Sequence, residues 1–126
     1  MVLGRGRFMV TFDEIQPGER ILVHDEVGFL LDTGGWSDGK LILTNTRLVF
    51  VMGGGFFGPK QWTEHAIDLN LIDNVTLEPA DRLGIKLRVD FTTMEGPHTV
   101  RYHCRLNQAQ KMVEMINYHR DAGILR

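Results

Sequence analysis

The sequence predicts a mainly β domain closed by one C-terminal α-helix: an antiparallel sandwich or partly open barrel with the helix as its cap. Three observations carry this expectation. Short runs rich in Val, Ile, Leu, Phe and Thr recur between glycine-marked turns, the pattern of all-β architectures. The apolar period changes from two to that of a helix only once, in the last stretch, 107–122. The chain has 126 residues, room for one domain and one core.

Residues 1–18 read as an N-terminal arm, with a short strand possible at 8–12, and residues 19–126 as the domain. The turns are Pro17-Gly18, Gly34-Gly35, Gly53-Gly54-Gly55, Gly58-Pro59 and Gly96-Pro97. Between them strands are expected at about 20–25, 27–33, 39–43, 47–52, 62–69, 72–78, 83–92 and 98–105, some of which can be single bent strands. The segment His24-Asp25-Glu26-Val27-Gly28 reads as an acidic turn. Lys40 to Leu43, then Thr44-Asn45-Thr46, then Arg47 to Val51 read as a hairpin, with Asn45 able to take the positive φ such turns use. In the last element Ala109, Met112, Val113 and Ile116 fall on one helical face. Asn107 is the expected N-cap and Gly123 the expected C′ residue. The stripe of such a helix must be buried, and the mouth of a curved sheet is the available surface.

Composition narrows the function. Hydrophobic residues make up 43% and charged residues 24%, which fits neither disorder nor a membrane span. The net charge of -2 argues against general nucleic-acid binding. A lone cysteine, Cys104, forbids an intramolecular disulfide, and the expected setting is cytoplasmic, with peripheral membrane contact left open. Apolar runs such as Leu48 to Met52 are too short to span a bilayer, and no secretory signal follows Arg5 and Arg7. The chain stops soon after the helix, as an excised domain of a larger protein would.

Residues 53–58, Gly-Gly-Gly-Phe-Phe-Gly, satisfy the dinucleotide pattern G-x-G-x-x-G, yet Pro59 follows and then a strand. The helix N-terminus that would hold a pyrophosphate is missing from the expected context. Lys60 does not make it a phosphate loop, because Gln61 stands where a magnesium-holding hydroxyl belongs. Phe56 and Phe57 can instead project as a hydrophobic tip for a bilayer or a partner, with Lys60 nearby for anionic groups, or fold back to plug the barrel.

Strict alternation sends Ile85, Leu87, Val89, Phe91, Val100, Tyr102 and Cys104 inward. The opposite face then carries Lys86, Arg88 and Asp90 on one strand and Arg101, His103 and Arg105 on the next. A turn near Glu95-Gly96 would pair Asp90 with Arg101, Arg88 with His103 and Lys86 with Arg105. Four fixed cations and a histidine against one carboxylate would suit a phosphate or an acidic partner, or be a plain solvated face. Cys104 and His103 point to opposite faces and cannot form a dyad. The five histidines have no metal-ligand spacing, and no nucleophile, base and orienting group can be assembled. On the helix, Met115 at the edge of the stripe and Tyr118 can join a protein-binding surface.

The string Gly39-Lys40-Leu41-Ile42-Leu43-Thr44-Asn45-Thr46-Arg47-Leu48-Val49-Phe50 resembles the G-x-L-x-L-T-N-x-R-L-x-F hairpin of GRAM-like domains, a branch of the pleckstrin-homology (PH-like) superfamily. Pro17-Gly18-Glu19-Arg20-Ile21-Leu22 is similar to the lead-in of their first strand. Ala66-Ile67-Asp68-Leu69 with Ile72-Asp73-Asn74-Val75 is similar to their I-P-L-x-D-I-x-x-V segment. The spacing from Glu19 to the hairpin also resembles the GLUE domain of ESCRT-II. The resemblance implies a non-catalytic adaptor without a cofactor. It would bind an anionic membrane lipid of phosphoinositide type, a ubiquitin-like protein, or both, in a trafficking assembly; a protein-only interaction domain is the alternative. It designates no ligand residue here. The expected acidic first turn speaks against the lipid site that many PH domains place beside it.

Overall fold

A computed structural model describes residues 16–52, 62–79 and 84–124. Seven strands follow one another: β1 (Ile21–Leu30), β2 (Trp36–Thr44), β3 (Arg47–Met52), β4 (Trp62–Asp68), β5 (Ile72–Pro79), β6 (Ile85–Thr93) and β7 (Gly96–Cys104). A single 3-10 turn (Leu69–Leu71) links β4 to β5, and helix α1 (Leu106–Ile124) ends the described chain. The strands form one antiparallel sheet in the order β4-β3-β2-β1-β7-β6-β5, so among the described residues β4 and β5 are its edges. The joint between β1 and β7 is short, pairing only Gly28 with His103 and Phe29 with Tyr102. The two halves of the sheet and α1 share a single core that includes Leu41, Phe50, Leu87, Tyr102, Met112 and Ile116. The expected fold class is therefore the observed one, with a continuous sheet in place of two separate ones.

Three local expectations are corrected. The segments expected at 20–25 and 27–33 form one strand, β1, as the single-strand option allowed; it ends at Leu30, and the expected turn His24 to Gly28 lies inside it. Charge and glycine imitate a turn there, but Val23, Asp25 and Val27 alternate inward, so the strand continues through an acidic residue. The first turn is instead 31–35, held by Leu31 N–H to the Gly35 carbonyl at 2.8 Å, with Gly34 at φ 96°. Helix α1 begins at Leu106, because the Ala109 amide donates to the Arg105 carbonyl at 2.9 Å. Asn107 thus stands in the first turn, its Oδ1 accepting from the Gln108 amide, and Gly123 lies inside the helix. Finally, the last hairpin turns at Met94-Glu95, with consequences for the charged face described below. The possible strand at 8–12 lies outside the described residues.

The hairpin string has a structural meaning that its letters did not reveal. Lys40 to Leu43 pair with Leu48 to Val51, and the turn between them grips the incoming chain. Asn45 accepts the Arg20 amide at 2.8 Å and donates to the Gly18 carbonyl at 3.0 Å. Glu19, only 7% exposed, accepts from Arg47, Thr44 and Thr46. Two strings far apart in sequence are therefore one clasp.

Gly39 is the string's other fixed point. A Cβ there would come 2.5 Å from the Phe50 ring and 2.6 Å from the Val51 carbonyl. Because a backbone oxygen cannot rotate away, Gly39→Ala should destabilise the domain by about 2 kcal/mol, read as a lowered urea midpoint at unchanged slope.

Candidate docking face

The outer face of β5, β6 and β7 is built by the alternation that buries Leu87, Val89, Tyr102 and Cys104. Its register differs from the expected one by two residues. Arg88 lies opposite Arg101, Lys86 opposite His103, and Asp90 opposite Thr99. The physical cause is the turn, which centres on Met94-Glu95 and leaves Gly96, at φ 118°, as the first residue of β7.

Two arginines directly across from each other repel. A carboxylate from the neighbouring strand relieves this: Glu78 of β5 accepts from Arg101 Nε at 2.9 Å and from Arg88 Nη1 at 3.3 Å. Arg88 Nε also donates to Asp90 at 3.0 Å, and Asp90 accepts the Thr99 hydroxyl at 2.6 Å. The hydrogen bond from Arg101 is the main reason the Glu78 carboxyl sits below its ordinary range. The Thr99 hydroxyl is the largest stabilising contact that holds Asp90 down, and the bond to Asp90 leads in raising Arg88.

Arg105 does not reach Lys86. Its guanidinium turns to Asp25 of β1 at 2.7 Å, an inward-facing carboxylate whose second oxygen has no hydrogen-bond partner. An anion recruited to Arg105 would leave that buried charge uncompensated. Lys86 takes part in no ion pair among the described residues, and its neighbour His103 packs against the Trp36 indole, ring centroids 5.5 Å apart. Trp36 itself is 44% exposed and lies across Gly28, the space a Cβ there would enter.

The sequence candidates thus separate into groups. Lys86, Arg88, Arg101 and His103 share one face, and Arg105 is tied to β1. Phe56, Phe57 and Lys60 lie outside the described residues. Met115 is half-buried against the core, while Tyr118 is 68% exposed and meets His119 edge-on at 5.0 Å. Sequence reasoning missed Glu78, Asp25 and Trp36. For Glu78 the signal was present, since a strand over 72–78 had to lie beside the next one, but its register could not be read.

Burial, aided by the Asp25 charge, pushes the Cys104 thiol up to about 12, so it is no nucleophile at neutral pH. His65 is within 2.6 Å of the Tyr102 hydroxyl, but both rings pack against Phe29 and Phe50 at the core. Among the described residues no group of three or more His, Cys, Asp or Glu could hold a metal ion. No helix of the described chain is long and apolar enough to cross a membrane.

A scan against protein-family models gives no match, and a search of curated proteins gives none either. Solved structures do match. A DUF1696 family protein with a pleckstrin-homology domain, from Shewanella loihica PV-4, aligns at TM-score 0.59 and 13% identity, over 86% of each chain. The hSac2 domain of the human phosphoinositide phosphatase Sac2 aligns at TM-score 0.63 and 11% identity, over 86% of this chain and 74% of that one. The DH/PH domains of PDZ-RhoGEF, solved in complex with activated RhoA, align at TM-score 0.58 and 12% identity, over 82% of this chain and 30% of that one. Identities this low speak for the fold alone. Seven antiparallel strands sealed by a C-terminal helix, superposing on PH domains of otherwise different proteins, give this chain a pleckstrin-homology-like fold.

Proposed function

We propose that the chain is a non-catalytic docking module, of the GRAM/GLUE kind its strings resemble, and that it docks on a protein surface. The observation that carries this reading is the charge accounting of the outer face. Arg88 is already ion-paired to Glu78 and Asp90, Arg101 to Glu78, and Arg105 to Asp25. Attraction to an anionic bilayer is worth about 1 kcal/mol per uncommitted cation near its surface. A face whose arginines are internally neutralised has little of this to offer, whereas a protein interface tolerates mixed charge around an exposed aromatic such as Trp36. A ubiquitin-like partner would use the helix edge, where Tyr118 is exposed beside Met115, within a trafficking assembly of ESCRT type.

A second reading, an anionic lipid of phosphoinositide type, draws on Lys86, which is opposite His103 and in no ion pair among the described residues. Phe56, Phe57 and Lys60 would serve it as an inserting tip.

Two measurements on the same sample decide. Sedimentation with phosphoinositide-bearing vesicles at low and raised salt should leave the protein in the supernatant; pelleting that salt weakens and Lys86→Glu abolishes would replace the protein reading by the lipid one. Titration of labelled protein with ubiquitin should move the amide signals around Met115 and Tyr118, and Tyr118→Ala should lower the affinity by roughly tenfold if that edge is the contact.

A further inference from the structure

The outer face holds more than a neutral charge ladder. Arg88 and Arg101 face each other across β6 and β7, an arrangement that is unfavourable until an anion joins them. The anion that does so is not the directly opposed residue. Glu78 stands across from Lys86, yet it reaches diagonally to both guanidinium groups. Lys86 is left in no ion pair among the described residues. Glu78 is the penultimate residue of β5, which among the described residues has a neighbouring strand on one side only. The register thus offers the same ions two arrangements: Glu78 on the arginines, or Glu78 on Lys86 with Arg101 unpaired and Arg88 held by Asp90 alone.

Resting on the reading that this face docks a protein, we propose that Arg88 and Arg101 are a phosphoryl-binding pair that Glu78 occupies in the free protein, and that Lys86 receives Glu78 when a phosphorylated side chain of a partner enters. The charge of the incoming group decides the exchange. An external carboxylate gains nothing over Glu78, a monoanion already held in place by the chain itself. A phosphorylated side chain brings a charge near -2 and three acceptor oxygens, enough to bridge two guanidinium forks. Asp90, itself fixed by the Thr99 hydroxyl, keeps Arg88 oriented while the exchange occurs. Position selects the carrier. Both arginines sit in mid-strand beside carboxylates, Arg88 with Asp90 and Glu78 and Arg101 with Glu78, where a protruding side chain can reach and a flat, anionic bilayer would meet like charge.

The test is a titration of the full chain with a phosphoserine peptide and its unphosphorylated twin, read from the side-chain Nε–H NMR signals of Arg88 and Arg101. Both signals should move with the phosphopeptide and neither with the twin. Glu78→Gln should tighten binding roughly tenfold, since the competing carboxylate is gone, and Arg101→Gln should abolish it. Lys86→Gln should weaken binding in the parent by roughly threefold and have no effect beside Glu78→Gln, a dependence that mere charge loss would not produce. Unchanged affinity in Glu78→Gln, or retained affinity in Arg101→Gln, overturns the proposal. So does movement of the two signals by phosphoinositide vesicles but not by the peptide. Ubiquitin binding at the helix edge with a silent arginine pair would sink this site and leave the docking reading intact.

Discussion

Glu19→Ala should cost the domain about 4 kcal/mol of unfolding free energy, a loss large enough to lower its melting temperature by roughly 15 °C. The reason lies in what the side chain leaves behind. Its carboxylate accepts five hydrogen bonds: from Arg47 Nε at 2.7 Å and Nη2 at 3.1 Å, from the hydroxyls of Thr44 and Thr46 at 2.6 and 2.9 Å, and from the Gln16 amide at 2.9 Å. Its side chain is 1% exposed and that of Arg47 is 19% exposed. Truncation strands the guanidinium in a site closed to most solvent and unfastens the chain before β1 from the β2–β3 turn. Replacing both partners by apolar residues, Glu19→Leu with Arg47→Met, should recover most of the loss, because it removes the buried charge with its counter-charge. Urea unfolding of the three variants checks this, and a Glu19→Ala protein as stable as its parent would dismiss the clasp.

The same clasp has a pH signature. Burial alone would raise the Glu19 carboxyl, but the bonds from Arg47, Thr44, Gln16 and Thr46 outweigh it and hold the group at about 2. A folded-state value below the unfolded one means that the contribution is complete above about 4.5 and is lost as the pH falls from there.

The other large effect is at His65. Its ring stacks on Phe50 at 5.3 Å, touches Phe29 at 4.8 Å, and pairs with the Tyr102 hydroxyl at 2.6 Å. Burial pushes it down from 6.5 to about 4, against a weaker upward pull from Glu64, so the folded protein keeps the ring neutral. Unfolding releases it to take a proton. Stability from this residue is therefore complete above pH 6.5 and falls as pH drops toward 4, by about 1.4 kcal/mol per pH unit. The whole window amounts to about 3 kcal/mol. Unfolding free energies of the parent and of His65→Phe, compared across this range, should converge by that amount as the solution is acidified. Parallel pH profiles would show that the ring is not held neutral by its surroundings.

What was legible in the sequence follows from which signals are local. Alternation placed Leu87, Val89, Tyr102 and Cys104 inward, and the period of the last segment placed Ala109, Met112 and Ile116 on the buried stripe. Both are properties of a single element. The hairpin from Lys40 to Val51 was legible for the same reason, since its two strands are joined by a turn of few residues. The middle of β1 misled, because Asp25 and Gly28 look like turn residues, whereas Asp25 faces inward within the strand and meets its counter-charge in Arg105, 80 positions away, which no local pattern displays.

The sequence by itself determined the class of the fold, the faces of its strands and helix, and the absence of a disulfide in a chain with one cysteine. Only the tertiary structure decided what the charged face is. Register across β5, β6 and β7 depends on where turns close and on which edge meets which, and a shift of two residues changes every cross-strand partner while leaving each residue on its face. Local pattern fixes direction, and long-range pairing fixes company. That is why Arg88 and Arg101 could be seen to point outward from sequence, while Glu78 between them, and Lys86 left beside them, could not.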